Sequence, residues 1–197
     1  MPIGVLALQG SFNLHRKMLS DLNSDSVEIR RPEQLKEVDG LIIPGGESTT
    51  LSLLIEEYDF TEPLKTAAGT GMPIWGTCAG AIILGHGDDI SAKGMELIGI
   101  KVLRNGYGRQ IDSFVAPLKV SGMMGAYSGI FIRAPRLLAV DTGVTILASH
   151  KGQAVMAREE NIMVTTFHPE LTEDNRIHQY FLRELSTSKW RRRMLNT

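Results

Sequence analysis

Short runs of apolar residues alternate, through the first half of the chain, with segments whose apolar side chains recur at helical spacing. "IGVLAL" (3–8) precedes a segment with Leu14, Met18, Leu19 and Leu22 on one face, opened by Ser11 as N-cap. "SVEIR" (26–30), "GLIIP" (40–44) and "PIW" (73–75) read as further strands, and "GGESTT" opens the helix "LSLLIEEY". Strands apolar on both faces must bury both faces. Helices between them supply the cover, so the pattern predicts a parallel sheet clad on each side.

The second half changes character. "LIGIKVLRN", "SFVAPLKV", "GIFIRAP", "VTILASH", "QAVMARE" and "IMVTTFHPE" are closely spaced strand candidates with turn residues between them. They predict an antiparallel addition and a last strand that returns to the main sheet. "EDNRIHQYFLREL" (173–185) predicts a C-terminal helix with Ile177, Phe181, Leu182 and Leu185 facing inward. No internal repeat, low-complexity tract or linker divides the chain. The expectation is one domain over residues 1–197, a three-layer α/β/α fold with a mostly parallel central sheet and an antiparallel addition.

Composition narrows the class. With 197 residues, 43% of them hydrophobic, the chain suits one sizeable core. A net charge of −1 offers no footing for nucleic acid or an anionic membrane surface. The opening "MPIGVLALQG" lacks a basic leader and reads as a buried strand, not a signal peptide, and no apolar run approaches membrane-spanning length. The single cysteine cannot form an internal disulfide, which fits a reducing cytoplasm. There is neither a P-loop nor a metal-ligand cluster, so no cofactor or metal is expected.

That cysteine, Cys78, stands in "GTCAG" (76–80), after one strand and before "AIILGH", the first turns of a helix. A side chain at so sharp a turn projects above the sheet and requires small neighbours, as in the G-x-S-x-G elbow. The start of a helix favours an anion, and the next N–H, that of Ala79, is placed to donate to a developing oxyanion. A free cysteine is more often a small buried hydrophobe. The flanking glycines turn the reading toward a nucleophile.

A nucleophilic thiol needs a base, and the base an orienting group. Among five histidines, His15, His86 and His178 fall in helical patterns and His150 ends a strand beside Lys151. These four read as solvated or capping. His168, in "TTFHPEL", ends the last strand. In an extended chain Glu170 projects to the same side, where it would set the imidazole tautomer. Parallel sheets place ligand crevices at the carboxyl ends of their strands, so Cys78, His168 and Gly45-Gly46 converge there. "PGGES" reads either as a turn before a helix capped by Ser48, as a second oxyanion donor through Gly46, or as both.

With these residues assembled, the chain resembles the class I (triad) glutamine amidotransferases, and more narrowly the glutaminase subunits of pyridoxal 5′-phosphate synthases. The resemblance is carried by "GVLALQG" (4–10), "RPEQL" (31–35), "VDGLIIPGGESTT" (38–50), "GTCAG" (76–80), "RNGYGRQIDSF" (104–114), "FIRAP" (131–135) and "FHPELTED" (167–174). It implies a glutaminase with a Cys78–His168–Glu170 triad. It also implies an oxyanion hole from Gly46 and Ala79, and glutamine contacts at Gly46, Glu47, Ser48, Arg104, Ile132 and Arg133. Arg104 suits the substrate carboxylate, while Arg133 would act mainly through its backbone. Further implied are a separate (β/α)₈-barrel synthase subunit that takes the ammonia, pyridoxal phosphate as product and not cofactor, and weak activity until docking. The alternatives are a free-standing γ-glutamyl hydrolase with the same triad, and a catalytically silent docking subunit. The intact Cys78, His168 and Glu170 argue against the second. The basic tail "SKWRRRM" (188–194) reads as a solvated helix end, and the methionines of "SGMMGAYSG" (121–129) as filler.

Overall fold

The computed structural model describes residues 2–87, 93–103, 113–139 and 141–187. Among these, ten strands form one sheet. Its parallel half is built from β1 (Ile3–Leu6), β2 (Ser26–Ile29), β3 (Gly40–Ile43), β4 (Ile74–Thr77) and β12 (Ile162–Thr165), in the order β2-β1-β3-β4-β12. Each of β1, β3, β4 and β12 is buried along its whole length, as two-sided apolar sequence requires.

Successive residues of these strands serve opposite cores. Val5, Ile42, Trp75 and Met163 face one, with Leu19, Ile177 and Phe181. Leu6, Leu41, Ile43, Ile74, Ile162 and Val164 face the other, with Leu51, Ile55, Leu64 and Ile83. The first core is covered by α1 (Phe12–Asp21) and α5 (Arg176–Thr187), the second by α2 (Ser48–Glu57), α3 (Thr61–Gly69) and α4 (Ala79–Leu84). Helices on both faces give the expected three layers.

The antiparallel addition is also present. Past β12 come β11 (Gln153–Glu159), β9 (Arg136–Ala139), β6 (Ile100–Leu103) and the two-residue β5 (His86–Gly87), with β10 (Thr145–His150) also paired to β11. A separate hairpin, β7 (Ser113–Leu118) and β8 (Tyr127–Ile132), packs Leu118, Tyr127 and Phe131 into the core shared with α1 and α5.

Some details depart from the expectation. The sequence reading had no counterpart for α3, β5 or β9. The predicted face of α1 is rotated: His15, Met18 and Leu19 are its buried residues, while Leu14 is 39% exposed. α5 begins at Arg176 and buries Ile177 and Phe181; the side chain of Leu185 lies outside the described residues. So do Arg104, most of "RNGYGRQIDSF" and the basic tail.

Candidate active site

Cys78 occupies the turn between β4 and α4 with φ 48° and ψ −103°, a conformation costly for a residue with a Cβ. The turn is held from outside. The Cys78 N–H donates to the Thr165 carbonyl on β12 at 2.8 Å. The two glycines are a steric requirement. A Cβ on Gly76 would lie 2.5 Å from the Gly80 carbonyl, and one on Gly80 would collide with the Ile43 carbonyl oxygen of β3. The first turn of α4 leaves the N–H of Ala79 outside the helix's own hydrogen-bond ladder.

His168 follows β12 by a few residues, and its N–H donates to the Ile130 carbonyl of β8 at 2.8 Å. The sequence reading placed Glu170 on the same side of an extended chain. Instead, residues Pro169–Leu171 form a 3-10 turn that begins after His168 and curls Glu170 back beneath the ring. His168 Nδ1 and Glu170 Oε1 are then 2.8 Å apart, which leaves Nε2 as the nitrogen not held by the carboxylate. Gly45 serves as a ruler between base and thiol: a Cβ there would stand 2.7 Å from His168 Cε1 and 3.2 Å from Cys78 Cβ. Both side chains therefore border one point above the sheet.

Electrostatics follow from that packing. Burial alone would lower the His168 pKa, but hydrogen bonds to Cys78 and Glu170, with the charges on both, raise it to about 10. The ring thus holds its proton at neutral pH. Burial would raise the Glu170 pKa; the neighbouring His15 and His168 and the hydrogen bonds from His168 and Ser11 instead lower it to about 2. Glu170 is a buried carboxylate kept ionised by its surroundings.

Those surroundings correct the reading of two histidines. His15 and His178 are not solvated; both are fully buried. His15 Nδ1 lies 2.9 Å from His178 Nε2, and both rings pack edge-on against Trp75. His15 Nε2 is 3.4 Å from Glu170 Oε2 and 3.4 Å from Thr77 Oγ1. His86 and His150 remain partly exposed. Ser11 precedes α1, but its side chain does not cap the helix; its Oγ donates to Glu170 Oε1 at 2.6 Å. Helical spacing contained a signal for this. His15 is four residues from Ser11 and three from Met18, on the face that the apolar residues share, and His178 adjoins Ile177 on the buried face of α5.

A cavity of about 200 Å³ opens over Cys78 and His168. It is lined by Gly46, Glu47, Ser48, Ala79, Ile132 and Arg133, all of which were singled out from sequence, together with Ile82 and Pro135. Arg133 directly follows β8 with φ 42°, and its side chain is exposed; the Ile132 carbonyl oxygen lies 4.0 Å from Cys78 Sγ. The cap of α2 is Glu47, not Ser48: its carboxylate accepts from the Thr49 and Thr50 N–H groups at 3.1 and 2.6 Å. Burial would raise the Glu47 pKa slightly, but these hydrogen bonds lower it to about 2. Gly45 N–H donates to Thr77 Oγ1 at 2.9 Å, and Gln9 Oε1 accepts from the Glu47 N–H at 3.3 Å. Thr77 and Gln9 lie within "GTCAG" and "GVLALQG", but the sequence reading gave neither of them a role of its own. Among the described residues there is no group of three or more His, Cys, Asp or Glu fit to hold a metal, and no helix long and apolar enough to cross a membrane.

Residues 5–187 match the model of the SNO glutamine amidotransferase family. A "Pyridoxal 5'-phosphate synthase subunit PdxT" of Bacillus pumilus is 45% identical over 190 residues, covering 96% of this chain and 97% of the relative. One of the same name from Dehalococcoides mccartyi is 49% identical over 187 residues, covering 92% and 96%. A crystal structure described as a glutamine amidotransferase superposes with a TM-score of 0.90 at 38% identity, covering 95% of this chain and all of that one.

Proposed function

The chain belongs to the SNO glutamine amidotransferase family, and on that premise we propose that it is the glutaminase subunit of a pyridoxal 5′-phosphate synthase. It hydrolyses L-glutamine to L-glutamate and ammonia and delivers the ammonia to a partner synthase subunit. The observation that carries the site assignment is the cavity in which Cys78 and His168 open side by side, with Gly46 and Ala79 on its wall.

The chemistry follows from the positions. The Cys78 thiolate attacks the carbonyl carbon of the substrate's side-chain amide, and the C=O electron pair moves onto oxygen. N–H groups of Gly46 and Ala79 stabilise that oxyanion. His168, protonated at neutral pH, gives its Nε2 proton to the nitrogen as the C–N bond breaks, which releases ammonia and leaves a γ-glutamyl thioester. The ring, now neutral, takes a proton from water. The hydroxide attacks the thioester carbon, and collapse of the second tetrahedral species expels the thiolate and frees glutamate. Glu170 holds the ring by Nδ1 throughout and stabilises the imidazolium. Gly46, Glu47, Ser48, Ile132 and Arg133 contact the substrate, with Arg104 reserved for its α-carboxylate. The synthase subunit is a (β/α)₈ barrel in this reading, and the chain acts in the cytoplasm as one glutamine amidotransferase domain.

The test is a coupled assay. The chain is mixed with a candidate synthase subunit and glutamine, and glutamate is followed for wild type and Cys78→Ala. Glutamate formation that depends on Cys78 and rises with the synthase is the expected result. Equal glutamate from Cys78→Ala would remove the nucleophile. Turnover of γ-glutamyl peptides without stimulation by the synthase would favour a free-standing hydrolase.

A further inference from the structure

The triad does not end at Glu170. Its Oε1 takes two hydrogen bonds, from His168 Nδ1 at 2.8 Å and Ser11 Oγ at 2.6 Å. Its Oε2 is buried and, among the described residues, lacks a partner at hydrogen-bond geometry. His15 Nε2 lies 3.4 Å from it. A buried carboxylate oxygen facing an imidazole nitrogen requires a hydrogen between them, because two lone pairs would repel.

The rest of the network agrees on where the hydrogens lie. His15 Nδ1 and His178 Nε2 are 2.9 Å apart, so one and only one of them carries the shared hydrogen. Burial lowers the pKa of both rings, which makes each neutral at pH 7 with a single N–H. With the hydrogen on His15 Nε2, His178 must donate from Nε2, and its Nδ1, which has no partner among the described residues, is a bare lone pair. The opposite assignment would leave a buried N–H orphan on His178 and a lone pair against Glu170. Both are worse, since orphaned buried donors are the rarer defect. From His15 the same nitrogen reaches Thr77 Oγ1 at 3.4 Å, and that oxygen accepts the Gly45 N–H at 2.9 Å.

The geometry points to His15 as a positioning residue for the Glu170–His168 pair: a neutral Nε2–H donor, kept in that tautomer by His178, and shared between Glu170 Oε2 and Thr77 Oγ1. It anchors the second carboxylate oxygen, so that the first stays aligned on His168, and it ties the triad to the Gly45 peptide beside Gly46. His15 lines no part of the cavity and contacts no reacting atom. For its catalytic consequence, the inference rests on the glutaminase reading above.

Two measurements test it. In histidine-labelled wild type, nitrogen chemical shifts read each tautomer with no substrate present. The expected result is a neutral Nε2–H ring at His15 and at His178 at pH 7. An Nδ1–H tautomer or an imidazolium at His15 overturns the inference. In the assembled complex, His15→Phe keeps an aromatic ring and removes the donor, while His15→Gln restores an N–H at a similar distance from the backbone. The expected kcat loss for His15→Phe is about tenfold or more, with KM little changed, and His15→Gln recovers most of it. The alkaline limb of kcat, where His168 gives up its proton, moves to lower pH in His15→Phe and returns in His15→Gln. Besides His15, the groups that act on Glu170, namely Ser11, His168, Tyr127 and His178, with Cys78 beyond, are unchanged in both variants. Identical kcat and identical limbs in the Phe and Gln variants would overturn the positioning role. A wild type inactive with synthase would overturn the glutaminase reading, and the tautomer measurement would still decide the assignment.

Discussion

Acidification should unfold this protein through its buried histidines, and replacing one of them should remove a calculable share of the effect. His15 and His178 are both fully buried, and desolvation lowers each pKa below the ordinary 6.5. The unfolded chain titrates both rings near 6.5. Below that pH it binds two protons that the folded chain refuses, so stability falls as pH falls. For one ring that stays neutral in the fold, linkage gives about 1.3 kcal/mol of lost stability between pH 7 and 5.5. His178→Phe deletes that contribution while keeping a ring against Trp75, and it removes a buried Nδ1 that has no partner among the described residues. Urea unfolding of wild type and variant at pH 7, 6.25 and 5.5, with equal m-values, reads the difference. His168, Cys78 and the carboxylates are present in both proteins and drop out. The expected result is that wild type loses about 1.3 kcal/mol more than the variant over this window. Parallel stability curves would show that folded His178 takes up the proton, and would refute a neutral buried ring.

Glu170→Gln retains a hydrogen-bond acceptor for His168 Nδ1 but no charge, so its glutaminase kcat in the complex should fall less than that of His168→Ala; equal activity of Glu170→Gln and wild type would remove the orienting role. Gly80→Ala drives a methyl group into the Ile43 carbonyl, and thermal melting should show a loss of about 1–3 kcal/mol, with glutamine turnover falling alongside; an unshifted melt would mean that β3 yields freely. Glu47→Ala removes the α2 cap and should lower stability by about 1 kcal/mol in urea, with the deficit absent below pH 2, where the Glu47 carboxylate is itself protonated in the folded protein.

The layered fold was legible because its signals are local. β1, β3, β4 and β12 announce themselves as runs of apolar residues, and α5 by its period. The helix α3, "TEPLKTAAG", escaped because its buried side chains are Leu64 and two alanines, too small a stripe to stand out. β9 escaped because four residues carry little periodicity; its place is set by pairing with β6 and β11. In the same way "GTCAG" marks its elbow from five adjacent residues, whereas the reason for Gly80 lies on β3, in the Ile43 carbonyl.

Residue order along the chain was thus enough to name the strands, the strained cysteine turn and the histidine that follows the last parallel strand. It did not reveal what Ser11, His15, Thr77 and His178 bond to, because their partners are remote: Ser11 meets Glu170 across 159 residues and His15 meets His178 across 163. A lone histidine on a helix looks alike whether water or a carboxylate faces it. Folding the sheet brought α1, α5 and the turn after β12 against Trp75, and the exclusion of water there turned two ordinary histidines into fixed, neutral hydrogen-bonding groups beneath the triad.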